Sequence, residues 1–226
     1  MAQVRVDVVS IGTLSRNLLW KETEPVRTPH ATTTLVRTGG RNIIIDPGLP
    51  AQVVAARLFE RAGLRPNQID TVFLTNARPA HRAGLRAFPQ AQIIMHEIEQ
   101  RATLEHLGRI LAEADGADER APVEQEMALI ESFVAADDKL APGVEIFPLF
   151  GFTVGTCGIL VTSPTQTILI AGDAVASAEH LLAGQVLPGC VMLEQAKESL
   201  KEVYEIADVI VPGHDNVFAS PRTFGR

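Results

Sequence analysis

The sequence predicts a layered α/β fold, and three observations carry that reading. Short runs of β-branched and aliphatic residues alternate with stretches of helical periodicity. Four of the strand-like runs stop abruptly at residues able to do chemistry: Asp46, the segment 76–81, Asp173 and His214. Ligands of α/β folds collect beyond the carboxyl ends of strands, so these endings predict a site at one edge of a sheet. Finally, 226 residues, 46% of them hydrophobic, suffice for one large domain with a sizeable core, and a single domain over 1–226 is the expectation.

Taken in order, residues 4–9 alternate in polarity and read as a strand, and the polar, proline-bearing stretch 15–30 reads as a loop. Residues 32–37 and 42–45 flank Gly39 and Gly40, a β-hairpin signal, and Asp46, Pro47 and Gly48 end the second strand sharply. Pro50 opens a helix with the apolar stripe Val54, Leu58, Phe59 and Ala62, which Gly63 and Pro66 stop. Residues 69–74 and 93–95 are short strands. From about 97 to 140 the chain is rich in Ala, Glu and Leu, with breaks at 115–118 and Pro122. This segment is expected to be an inserted helical pair, either covering a pocket or forming a solvated surface. Strands resume at 144–147, 158–161 and 167–170, the last two around a turn at Ser163 and Pro164. Leu193, Ala196, Leu200, Val203 and Ala207 give an amphipathic helix, and a strand at 209–211 ends in Pro212, Gly213 and His214. Two similar strand–helix halves, roughly 1–95 and 141–226, follow from this order.

Composition narrows the functional classes. A net charge of −7 argues against a nucleic-acid-binding surface, which needs a basic footprint. Cys157 and Cys190 lie in no cluster and read as reduced thiols. The N-terminus lacks a secretory pattern and no apolar run is long enough for a membrane span, so a cytoplasmic protein is expected. No Gly-rich phosphate loop, serine nucleophile elbow or Cys–His pairing with motif context is present.

Four motifs occur in order: Ile-Ile-Ile-Asp-Pro-Gly at 43–48, Val-Phe-Leu-Thr at 72–75 before a six-residue loop, Gly-Asp at 172–173, and Val-Ile-Val-Pro-Gly-His at 209–214. Together they resemble the metallo-β-lactamase superfamily over nearly the whole chain. The resemblance implies an αββα four-layer sandwich of two mixed sheets flanked by helices, with a one- or two-metal site at one edge. It does not by itself give a substrate.

The metal site implied by the resemblance is incomplete. The family's first two loop histidines fall on Asn76 and Arg78, its loop aspartate on Ala80, and its next histidine on His81. A further histidine ligand falls on Phe152, while the bridging aspartate and last histidine match Asp173 and His214. Asp46 is expected as a turn residue supporting the site through backbone hydrogen bonds. With Asn76, Arg78 and Phe152 at one metal position, no dication is expected there, because arginine is permanently charged and phenylalanine has no donor atom. His81, Asp173 and His214 retain two imidazoles and a carboxylate, the ligand set of a mononuclear zinc, iron or manganese site.

Two readings stay open at this point. In the first, the site has been rebuilt without metal. Arg78 then grips Asp173 in place of the lost ion, His81 and His214 are neutral remnants, and the protein is a pseudoenzyme binding a small anion through Arg78, His81 and Arg82. In the second, His81, Asp173 and His214 hold one metal of a hydrolase. A structural or regulatory homo-oligomer is a third expectation. His30 reads as a surface histidine, and His96, His106 and His180 carry no signal.

Overall fold

The two-residue periodicity of the strands sorts the apolar side chains onto the two faces of two sheets. The computed structural model describes residues 4–136 and 138–222, so the first three residues of the stretch read for a secretory pattern lie outside it. The first sheet hydrogen-bonds β1 (Arg5–Ser10), β2 (Thr33–Thr38), β3 (Arg41–Ile45), β4 (Thr71–Leu74), β5 (Gln92–His96) and β6 (Val134–Ala136) in that order. It is antiparallel from β1 to β3 and parallel from β3 to β6. The second sheet has β7 (Lys139–Ala141), β8 (Val144–Pro148), β9 (Cys157–Thr162), β10 (Thr167–Gly172), β11 (Val209–Pro212) and β12 (Phe218–Ala219), again in chain order. Here only the β10–β11 pair is parallel.

Alternation then decides the layers. Ile43, Ile45, Phe73 and Ile94 of the first sheet pack against Ile146, Ile159, Ile170 and Val211 of the second. Their neighbours in sequence face outward. Ile44, Val72, Leu74 and Met95 meet Val54 and Leu58 of α1 (Ala51–Ala62) and Ile130 of α4 (Ala117–Glu131). Leu169, Ala171 and Ile210 meet Leu200 and Val203 of α6 (Leu193–Ile206). The result is an αββα sandwich, in which a one-residue register slip would turn every apolar side chain to the wrong layer. No helix among the described residues is long and apolar enough to cross a membrane.

Three sequence expectations change. Phe59 is 56% exposed, so the core-facing stripe of α1 is carried by Val54 and Leu58. The helical segment is shorter than 97–140: α3 (Glu97–Glu113) and α4 bridge the parallel strands β5 and β6, and residues 134–136 and 139–141 are strands. Those two short strands form the edges at which the chain passes from one sheet to the other, too brief to show a period of their own. Pro122 lies inside α4 rather than at its break, in the second turn, where its missing N–H removes the helical donor for the Asp118 carbonyl. Sequence reading also passed over α5 (Ala178–Ala183) and β12.

Candidate functional site

The strand ends converge at one edge of the sandwich. At the end of β3, Asp46 takes a left-handed backbone (φ 48°), a conformation its short polar side chain tolerates. This aims its carboxylate at the end of β4. Oδ1 accepts from the Thr75 N–H at 2.9 Å and Oδ2 from the Thr75 hydroxyl at 2.6 Å. Asn76 follows, its Oδ1 accepting the Arg78 N–H at 2.9 Å. Pro79 holds Arg78 extended (φ −64°, ψ 143°) and occupies the first turn of the one-turn helix α2 (Pro79–Arg82). That turn carries His81 inward to complete burial.

His81 is held between two carboxylates. Its Nδ1 lies 2.9 Å from Asp46 Oδ2 and its Nε2 2.8 Å from Asp173 Oδ2. Burial alone would push this imidazole down, but the charges of Asp173 and Asp46, with a hydrogen bond to each, raise it to about 10. The other oxygen of Asp173 meets His214 Nε2 at 2.8 Å. Burial works against ionising Asp173, yet the charges of His81 and His214 hold its carboxyl well below the usual range. Asn76 Nδ2 adds a donor to Asp173 at 3.0 Å. His214 Nδ1 lies 3.1 Å from the Thr13 carbonyl and 3.0 Å from that of His30. His30 thus serves the site through its backbone rather than its ring.

Asp173 follows Gly172, whose φ of 52° lies in the left-handed region. A Cβ at Gly172 would stand 2.6 Å from the Thr75 hydroxyl, so this close approach of two strand ends requires glycine. The result is a compact donor set: one ligand atom each from His81, Asp173 and His214, all within 4.8 Å of one another. Oxygen atoms behind both Nδ1 positions fix the ring orientations so that each Nε2 faces the shared carboxylate. Two imidazole nitrogens and a carboxylate are by their chemistry a donor set that could hold a single divalent ion.

Arg78 is placed otherwise than expected. It makes no ion pair with Asp173, whose carboxylate already faces His81, His214 and Asn76. Its exposed guanidinium lies over the buried Phe152 ring instead, with Cζ 4.1 Å from the centroid. The Asn76 turn and the extended backbone before Pro79 direct the side chain there. Arg82 is committed elsewhere too: Nε donates to the Ala77 carbonyl at 2.6 Å and the guanidinium pairs with Glu126 of α4. It is not a free anion-binding group.

Three residues belong to the site that sequence reading missed. Thr75 bridges Asp46 and the His81 ring. His180 is buried, its Nδ1 2.7 Å from the Ser177 hydroxyl, and it lines a cavity of about 310 Å³ with Arg78, His81, Phe152, Asp173 and His214. Burial pushes its imidazole down, which favours the neutral form. Glu99, at the start of α3, accepts from the Ala77 N–H at 2.9 Å, the Gly155 N–H at 2.9 Å and the Thr153 hydroxyl at 2.7 Å. One carboxylate thereby ties the loop after β4 to the loop that carries Phe152. Thr75 closes a recognised motif without showing a role, and the other two join the site only through the fold: Glu99 by contacts to residues 153 and 155, His180 by the cavity it lines. Both cysteines are free; Cys157 is buried between the sheets, where burial raises its thiol.

A family model described as the metallo-beta-lactamase superfamily matches residues 27–214. Among solved structures, a Thermotoga maritima protein classed with the metallo-beta-lactamases is 19% identical, with a TM-score of 0.67, over 96% of this chain and 99% of that one. A Staphylococcus aureus protein described as a metal-dependent hydrolase is 15% identical, with a TM-score of 0.68, over 95% and 89%. An N-acyl homoserine lactone hydrolase, solved with N-hexanoyl-L-homoserine at its catalytic metal center, is 17% identical, with a TM-score of 0.62, over 94% and 92%. At these identities the likeness speaks for the fold alone. No curated protein sequence matches the chain significantly.

Proposed function

Because the chain belongs to the metallo-beta-lactamase superfamily, we propose that it is a hydrolase built on a one-metal site, with His81, Asp173 and His214 as the protein ligands. The observation that carries this reading is the preset geometry of the two histidines. Asp46 engages Nδ1 of His81, and the carbonyls of Thr13 and His30 engage Nδ1 of His214, while both Nε2 atoms face Asp173. Carboxylate and carbonyl acceptors behind ligating histidines are the usual means of fixing tautomer and ring orientation at a metal. A zinc, iron or manganese ion held there supplies Lewis acidity towards a carbonyl or phosphoryl oxygen.

The residues around the triad have separable tasks. Asp46 and Thr75 hold the His81 ring in place. Asn76 offers an amide donor beside Asp173 where the family pattern has a histidine. Arg78, stacked on Phe152 at the cavity wall, attracts and orients an anionic substrate. His180 presents a buried imidazole to the same cavity, with Ser177 fixing its ring. Phe152 supplies an apolar wall in place of a ligand.

A second reading has its own observation. His81 lies between two carboxylates and is raised to about 10, so its imidazolium can balance their charge without an ion. On that reading the cavity is a metal-free anion-binding site. Metal analysis of the full chain, purified without chelator and then incubated with zinc, iron or manganese, separates the two. The hydrolase reading expects about one ion per chain, lost in both His81→Ala and His214→Ala. A wild-type protein that retains no ion after reconstitution overturns it in favour of the metal-free site.

A further inference from the structure

Arg78 lines two cavities. One is the triad cavity; the other, of about 540 Å³, is walled by α3 and the loop before β9. Its size lies within the range of small-molecule pockets. Helix α3 presents Glu99, Ala102, His106 and Arg109 to this space, a spacing of three and four residues that places them on one face. Ala102, Val154 and Val191 provide apolar walls.

Charge on these walls is one-sided. Glu99 is the cavity's acid, but it is buried and its oxygens already accept three hydrogen bonds, so it holds no ligand cation. Arg78 and Arg109 have no carboxylate partner among the described residues. What distinguishes these two guanidinium groups is their place: both line the same apolar cavity, whose one acid is already satisfied. A guanidinium recognises carboxylate through parallel N–H donors, and apolar walls favour burial of a hydrocarbon body.

We propose that this cavity binds an organic anion with an apolar body, of the medium-chain carboxylate class. The carboxylate is recognised by Arg109 and Arg78, and the hydrocarbon packs against Ala102, Val154 and Val191. The site shares Arg78 with the triad cavity, but none of the three metal-ligand candidates lines it, so binding here does not require the metal.

Calorimetric titration of the full chain with octanoate, after dialysis against chelator, tests the proposal. Octanoate is expected to saturate, with butyrate, inorganic phosphate and octan-1-ol each weaker by about tenfold or more. Arg109→Glu should weaken octanoate by at least about tenfold while leaving the thermal midpoint unchanged, since Arg109 is exposed. Ala102→Trp should abolish binding by filling the apolar part, and if that variant fails to fold, Arg109→Glu alone decides. Octanoate that does not saturate, or binds Arg109→Glu as well as wild type, overturns the proposal. Equal affinity for phosphate or for octan-1-ol overturns the apolar or the charged half. Restoring zinc should leave octanoate affinity unchanged; binding that requires zinc would place the carboxylate on the metal and overturn this site.

Discussion

The two halves of the site are built on opposite principles. On one side His81 and Asp173 are buried and His214 is partly buried, and each ring is held at both nitrogens by charged or carbonyl oxygens. On the other side Arg78 is exposed and rests on the face of Phe152. The first half has little freedom and concentrated charge. The second has a mobile type of side chain, a permanent charge and an aromatic surface. A buried charge cluster is costly to disturb, whereas an exposed stacked cation contributes little to stability and is available to a ligand. On the proposed function, the first half takes the metal and the second meets the anion.

Removing the shared carboxylate should give the largest effect. Asp173→Asn leaves His81 and His214 without the charge that faces both Nε2 atoms, at a position where Asp173 and His81 are buried. Breaking a buried ion pair from one side costs about 3–5 kcal/mol, so urea unfolding should show a loss of that order, together with loss of any bound ion. A variant as stable as wild type would mean that Asp173 carries no charge in the native protein, and the buried half would lose its defining feature.

The joint between the halves is Glu99, and Glu99→Gln should have an intermediate effect. The amide offers one acceptor oxygen where the carboxylate offers two, so its NH2 group must face the backbone N–H of Ala77 or Gly155. Leaving a buried donor unmet costs about 1–3 kcal/mol. A Cβ at Gly155 would stand 2.2 Å from the Glu99 nitrogen, so helix and loop are in direct backbone contact and cannot easily readjust. Amide exchange at Ala77 and Gly155 is therefore expected to accelerate more than that of the β3 core. Uniform acceleration across the chain would show that Glu99 supports the fold generally and does not tie the two loops.

The same division governs what could be read from the sequence. Strand ends and the alternating patterns within strands are local, and they pointed to a layered α/β fold with Asp46, the 76–81 segment, Asp173 and His214 at one sheet edge. The sandwich and the individual ligand positions came instead from the resemblance of four ordered motifs. Side-chain direction at Arg78 was not local. Its position in the loop suggested a partner for Asp173, but an Asn76 turn and the Phe152 ring, seventy-odd residues downstream, decide where the guanidinium goes. His180 and Glu99 were illegible for a related reason. Each sits in the first turn of a helix, where such residues are common caps or surface groups, and only tertiary contact makes them part of the site. The brief strands at 134–136 and 139–141 were lost because three residues cannot establish a period.

Arg78→Ala should have the smallest effect on stability, and it bears most directly on the comparison. An exposed cation over an aromatic face is worth about 0.5–1 kcal/mol, which for a domain of this size corresponds to a shift in thermal midpoint of at most about 2–4 °C. Metal stoichiometry should be unchanged, because Arg78 touches neither Asp173 nor the two histidines. Binding of small carboxylates should weaken, since Arg78 lines both cavities. A loss of several kcal/mol would instead mean that the guanidinium neutralises Asp173 in solution. The open half would then be part of the buried charge cluster, and the two halves of the site would be one.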